Sequence, residues 1–255
     1  MIVVTGFGWS DFSYETSRNT EIIDLEDPSF VCSNVDKYPT QMGKGTGGLT
    51  RGVPFVCGGW NGWDSGEVFN SCYSLHENGE WIEDQSTTLT TARGAAAYGS
   101  VVMGDRLVLA GGYSSYPTNL RPNRDNIFET IEMASPNHKS TTLPVELPVA
   151  LAASCVVQWD SNTFMLIGGA SGRRHEKETY FINVKSNIIT AGPSLNKRRA
   201  YHACQEIVVN DASYIVVTGG LGTEMSTEIL AKSSMTNNWE YGKMLSSLLH
   251  VSTMD

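Results

Sequence analysis

Short apolar runs that end in two glycines recur along the chain. Clear copies occupy residues 55–59, 107–112, 165–169 and 215–220, and a broken copy opens the chain, where Phe7 separates two glycines. A repeat period near 50 residues indicates one supersecondary unit copied five times. The first glycines, which are 52, 53, 57 and 51 residues apart, are Gly6, Gly58, Gly111, Gly168 and Gly219.

Each unit reads as four short strands, a to d. Strand b is the apolar run, strand a before it is rich in small residues, strand c follows a loop of variable length, and strand d carries a large residue after a polar turn. Four antiparallel strands repeated radially predict an all-β propeller, in which small residues suit the crowded centre. A β-sandwich with coincidental glycine pairs is the weaker alternative.

Side chains at repeated positions add a family resemblance. Tyrosines occur on strand c, tryptophans on strand d, and a leucine stands four residues before an arginine ahead of strand a. The residues are Tyr73, Tyr180, Trp81, Trp239, Leu89 with Arg93, and Leu195 with Arg199. Together with the double glycines, they resemble the kelch-repeat family over nearly the whole chain. The resemblance implies a propeller that binds protein partners through loops on one face.

The repeat predicts a single domain, 1–255, of about five four-stranded kelch-like blades. The C-terminal segment resembles a strand a, so we expect residues 244–255 to complete the first blade and close the ring. Kelch propellers commonly have six or seven blades, which leaves a fragment or a divergent product as the alternative. The expected blades are 1–44, 45–91, 92–145, 146–193 and 194–243.

Composition and charge exclude some classes of binding partner. The net charge of −9 argues against nucleic-acid binding, and no apolar run approaches the length of a membrane span. The N-terminus shows no signal-peptide pattern, which favours the cytoplasm, although a mature secreted protein would also lack one.

Charge is distributed unevenly between the two ends of the expected propeller. The end that carries the b–c and d–a loops, here called the loop face, holds 13 of the 18 basic residues but only 10 of the 27 acidic ones. Such a face favours an acidic peptide or another carboxylate-bearing partner. Arg93 and Arg199 also fit a structural role, because their position repeats. The candidate partner-binding residues are Trp60, Trp63, Arg93, Tyr113, Arg121, Arg124, Arg173, Arg174, Arg198 and Arg199.

The sequence offers few candidate residues for metal binding or catalysis. No histidines or cysteines have the spacing of a metal site, and no nucleophile motif is present, so we expect neither a cofactor nor catalysis. His202 and His250 occupy similar repeat positions, which favours a structural role. Cys57 and Cys72 lie on neighbouring antiparallel strands; a disulfide in an extracellular protein and buried free thiols both remain open.

These patterns predict a non-catalytic protein-interaction module that uses one face. One alternative is an extracellular propeller that binds carbohydrate, or a degenerate oxidase-like protein. Another is the substrate-recognition part of a ubiquitin ligase, whose ligase-binding domain is absent from this sequence.

Overall fold

Antiparallel β-sheets account for the regular structure. The computed structural model describes residues 2–10, 13–22, 35–61, 67–96, 101–114, 127–172, 174–222, 226–233 and 235–242; before residue 35, side chains are described only for 18–20. No helix in these ranges is long and apolar enough to cross a membrane.

Four of the sheets are four-stranded blades, here numbered two to five after their repeats. Blade two contains β3 (Thr46–Thr50), β4 (Val53–Cys57), β5 (Cys72–Leu75) and β6 (Trp81–Glu83), and blade three contains β7 (Val102–Met103), β8 (Arg106–Ala110), β9 (Thr130–Ser135) and β10 (His138–Glu146). Blade four contains β11 (Cys155–Gln158), β12 (Thr163–Ser171), β13 (Arg174–Asn183) and β14 (Ile188–Ala191), and blade five contains β15 (Ala203–Val209), β16 (Ala212–Thr218), β17 (Thr227–Ala231) and β18 (Glu240–Tyr241).

The all-β propeller of four-stranded blades is confirmed, but the count of about five is wrong for the described residues. The first repeat forms a two-stranded hairpin of β1 (Ile2–Ser10) and β2 (Ser13–Ile22), which correspond to its strands b and c. Residues 23–34 of this repeat, and the segment 244–255 that the sequence predicts to complete its blade, lie outside the described residues.

Neighbouring blades pack face to face through alternating side chains of their strands. On β12, Phe164 and Leu166 join the apolar cluster shared with blade three, whereas Met165 and Ile167 join the cluster shared with blade five. All four side chains are buried. A strand between two sheets is apolar on both faces, so it reads as a continuous hydrophobic run rather than an alternating one.

From the sequence, we expect the large strand-d tryptophans to pack against the next sheet. In the structure they pack against the preceding repeat instead. Trp81 stacks edge-on against Tyr38 and donates a 2.9 Å hydrogen bond from Nε1 to Thr20 Oγ1. Trp239 lies in the cluster between blades four and five and donates from Nε1 to the Pro193 carbonyl at 2.8 Å. Each indole thus joins its own blade to the one before it.

The double glycines mark where the next blade docks. Gly58 and Gly168 have φ values of 67° and 54°, in the left-handed region. A Cβ atom added there would lie 2.5 Å from the Arg93 carbonyl oxygen and 2.7 Å from the Arg199 carbonyl oxygen. Only glycine provides both the dihedral angle and the space for this approach.

Arg93 and Arg199 tie successive blades together and are buried. The backbone of Arg199 bonds to Gly169 and Glu176 of blade four, while its guanidinium reaches the Gly219 carbonyl and, at 2.7 Å, Glu228 of blade five. Arg93 joins blade two to blade three through Glu132 at 3.2 Å in the same way. Because both side chains are at most 1% exposed, their assignment to the partner-binding set is corrected: they are structural.

In blades two and four, an apolar residue and a tyrosine occupy the positions of this ion pair. The bridges Gly43–Trp60, Gly94–Tyr113, Ala152–Ala170 and Ala200–Leu221 align the repeats. By that alignment, Met42 and Leu151 take the place of the arginines. Strand register likewise places Tyr73 and Tyr180 where Glu132 and Glu228 stand. Arginine thus occurs with glutamate, and an apolar residue with tyrosine, so each pair behaves as one structural unit.

Two disulfides crosslink the fold. Cys57–Cys72 joins β4 to β5 within blade two, as the antiparallel pairing allows. Cys155–Cys204, which the sequence analysis does not anticipate, joins the first strands of blades four and five over 49 residues. A crosslink between blades limits their separation in the unfolded chain and stabilises the native interface.

Alkylation of the denatured, unreduced protein should therefore label one cysteine. Two bridges among five cysteines leave one thiol; Cys32 lies outside the described residues. Mass spectrometry of the intact chain gives the count, and a reduced sample that takes five labels is the control. Five labels without reductant would contradict both bridges, and three would leave only one of them.

Candidate functional site

The loop-face end of the propeller axis is lined by four equivalent residues that start the inner strands. Lys44, Ala95, Ala153 and Tyr201 have φ values of 56°, 47°, 53° and 59°, which are uncommon for residues other than glycine. Their backbones form a belt: each of the last three donates an N–H to the carbonyl of the one before it, at 2.9–3.0 Å. The belt fixes where the side chains of Lys44 and Tyr201 begin.

A second set of equivalent residues, from the loops after the glycine pairs, lies against this belt. Trp60, Tyr113, Ala170 and Leu221 form isolated bridges to the residues just before the belt positions. Trp60 and Tyr113 are buried, whereas Leu221 is 57% exposed. The bridges confirm that b–c loops and d–a segments of one blade share a face.

Lys44 joins the two sets. Its Nζ lies 4.4 Å from the Trp60 ring centroid and 5.2 Å from that of Tyr201, and the Tyr113 and Tyr201 hydroxyl oxygens are 3.3 Å apart. Burial lowers the pKa of Lys44 to about 8, because desolvation disfavours the charged amine. We call Lys44, Trp60, Tyr113, Tyr201 and Leu221 the axial site.

Beside the axial site, blade four and the segment that leads into blade five carry mixed charge. Arg198 is exposed and donates from Nη1 to Glu176 Oε2 at 2.9 Å and to the His175 carbonyl at 3.2 Å. Arg174 is exposed at the start of β13. An anionic partner would contact Arg198, which is already paired with a carboxylate, and Arg174 at the rim of the site.

The structure divides the predicted partner-binding residues into three groups. Trp60 and Tyr113 belong to the axial site, and Arg174 and Arg198 are exposed near it. Arg93 and Arg199 are buried between blades. Trp63, Arg121, Arg124 and Arg173 lie outside the described residues.

The sequence analysis missed Lys44, Tyr201 and Leu221 as site residues. In the sequence, Lys44 is one of many basic residues, and Tyr201 is one residue of a predicted strand a, so neither stands out. Aligning the repeats on Arg93 and Arg199 would place Ala95 and Tyr201 at one position and so reveal which blades carry large side chains at the axis.

His202 follows the belt and is structural rather than chemical. It is 2% exposed, and neither ring nitrogen makes a hydrogen bond. Burial, followed by the positive charge of Arg199, lowers its pKa to about 3, although the Ile167 carbonyl opposes part of this shift. Within the described residues, no group of His, Cys, Asp and Glu side chains could hold a metal ion.

Comparison with known proteins supports the fold alone. No protein-family model matches the chain, and no curated protein matches it. The solved structure of YjhT is similar, with a TM-score of 0.64 and 12% sequence identity over 88% of this chain and 76% of that one. At 12% identity, this similarity shows that the fold is a β-propeller and gives no information about function.

Proposed function

We propose that the protein is a non-catalytic interaction module of kelch type whose loop face binds a protein partner, with an acidic peptide as the favoured class. The observation that carries this proposal is the axial site, where the Lys44 amine lies near the rings of Trp60 and Tyr201. Tyrosine and tryptophan are among the residue types enriched at the hot spots of protein interfaces. The exposed Leu221 and the 37% exposed Tyr201 add apolar surface that a partner can cover.

Each group has a definite part in recognition. The Lys44 ammonium pairs with a carboxylate of the partner, and such a charge-assisted bond contributes about 1.5–3 kcal/mol. The Tyr201 ring and Leu221 pack against the apolar residue beside that carboxylate. Arg174 and Arg198 attract acidic groups at the rim, where solvent screening keeps each contribution below about 1 kcal/mol.

Replacing Lys44 by glutamine should weaken binding of an acidic probe by about tenfold, because the charge is lost while much of the side-chain length is kept. The probe is a fluorescein-labelled octapeptide that alternates glutamate and leucine, and the measurement is fluorescence anisotropy. Lys185→Gln, in an exposed turn at the other end of blade four, is the matched control and should leave the affinity unchanged.

The pH dependence gives a second readout of the same site. Since burial places the pKa of Lys44 near 8, the amine loses its charge as the pH rises from 7 to 9, and binding should weaken over that range. The Lys44→Gln variant should lack this step. Equal affinities for the variant and the unmodified protein, or a step that persists in Lys44→Gln, would contradict recognition by Lys44.

An extracellular propeller that binds carbohydrate is a second candidate, favoured by the two disulfides. Disulfides persist in oxidising compartments, and the partly exposed Tyr201 ring offers a face on which a sugar ring can stack. A glycan array with the unmodified protein and a Tyr201→Ala variant tests this candidate. Glycan binding that depends on Tyr201 would favour it over the peptide.

A further inference from the structure

A groove runs along the end of the propeller opposite the loop face, which we call the turn face. Its larger part, about 860 Å³, is bounded by the β3–β4 turn and the β5–β6 turn of blade two and by the β9–β10 turn of blade three. A smaller part of about 340 Å³ shares Ser74, His76 and Asn137 with it, so the two parts are adjacent. We call the two parts together the turn-face groove.

The larger part of the groove has a mixed lining that includes apolar residues. Val53, Pro54, Leu75 and Pro136 contribute to it. Ile82, which lines the smaller part, is 45% exposed. Leu75 and Pro136 are buried. An extended chain in the groove would therefore cover apolar surface of Val53, Pro54 and Ile82, and this contributes about 25 cal/mol per Å².

The charge of the groove has one sign. Its described lining includes Glu77, Glu83 and Asp84 and contains no lysine or arginine. Burial opposes ionisation of Asp84, but hydrogen bonds from Ser86 and from the Asn137 backbone N–H outweigh it, so the pKa of Asp84 is lowered.

Of the flanking basic residues, Lys37 is exposed two residues after Val35 of the lining, whereas Arg51 and Lys139 change the charge little. Arg51, next to the groove, is ion-paired with Asp105 of blade three. Lys139, two residues beyond Asn137, is exposed and does not line the groove.

We propose that the turn-face groove binds an extended peptide segment that carries several lysine or arginine residues. The aliphatic stems of such side chains cover Val53, Pro54 and Ile82, while their charged ends reach Glu77 and Glu83 in solvent. Charge complementarity selects this occupant, because an acidic or neutral segment gains nothing from the carboxylates. The groove lies at the opposite end of the propeller from the axial site, so this binding does not depend on the proposed function.

The test uses a fluorescein-labelled octapeptide that alternates arginine and alanine, read by fluorescence anisotropy at low ionic strength. Glu77→Gln with Glu83→Gln should weaken binding by about tenfold, since each exposed ion pair contributes severalfold. Ile82→Ser should weaken it by about threefold through lost apolar contact. Glu240→Gln removes an exposed carboxylate of blade five and is the matched control, expected to leave binding unchanged.

Several results would overturn the proposal. Unchanged affinity in the Glu77→Gln, Glu83→Gln variant would place binding elsewhere. An equal loss in Glu240→Gln would mean that only the overall negative charge attracts the probe, and an unaffected Ile82→Ser would remove the apolar contact. Complete displacement by spermine at equal positive charge would assign the groove to a small polyamine. Lys44→Gln should not affect this probe, which keeps the test separate from that of the axial site.

Discussion

The Arg199→Leu variant should lose about 3–5 kcal/mol of unfolding free energy, because it leaves Glu228 buried without its counter-ion. Both side chains of this pair are fully buried, so solvent cannot replace the arginine. The backbone N–H groups of Asn196 and Lys197 still donate to the carboxylate, which places the expected loss in this range rather than above it. Urea denaturation without reductant gives the free energy.

The residue pair found in blade four provides a second variant for this experiment. Blade four carries Leu151 and Tyr180 at the two equivalent positions, packed in one apolar cluster. The double variant Arg199→Leu, Glu228→Tyr introduces the same residue pair into blade five. It should recover more than half of the unfolding free energy that Arg199→Leu loses. A single variant within about 1 kcal/mol of the unmodified protein, or a double variant less stable than the single one, would contradict the view that each pair is one structural unit.

Acid should destabilise the protein by about 1.4 kcal/mol for each pH unit below about 6.5 through His202 alone. The pKa of the buried ring is about 3, whereas in the unfolded chain it is about 6.5, so the unfolded state binds the extra proton between these values. Stability from this group is therefore complete above pH 6.5 and is lost as the pH falls towards 3.

His202→Ala isolates this contribution, because Ala96 is the equivalent residue in blade three. The variant should lose stability by a constant amount from the cavity but depend less steeply on pH than the unmodified protein. The readout is the difference in slope, since carboxylates contribute equally to both proteins. His138→Ala, at an exposed position, should keep the full slope. An unchanged slope in His202→Ala would mean that the ring is protonated in the native state.

Local chemistry explains why the blade framework was readable from the sequence. Glycine at Gly58 and Gly168 is required by dihedral angle and space, and the apolar run before it is required by sheets on both sides, so both leave a fixed pattern. Strand boundaries were less readable: β12 continues through its glycines to Ser171, with an irregular register between Ile167 and Gly169. The tryptophans indicated packing against a neighbouring sheet, but the neighbour is the preceding repeat rather than the next sheet.

The axial site could not be read in the same way, because it depends on distant residues that the ring brings together. Lys44 meets Tyr201 only after three blades have been placed between them, and the loops between repeats vary in length. The Cys155–Cys204 bridge is similar, since it pairs strands of different blades. Cys57 and Cys72 were easier to connect because they are paired within one sheet.

A quantitative pull-down tests the proposed interaction most directly. The unmodified protein is compared with a loop-face variant, Lys44→Gln with Arg174→Ala and Arg198→Ala, and with a turn-face control, Lys139→Ala with Lys185→Ala. The account predicts at least one protein whose recovery falls about tenfold in the loop-face variant and stays unchanged in the control. The same partners at the same recovery in all three samples would contradict binding through the loop face.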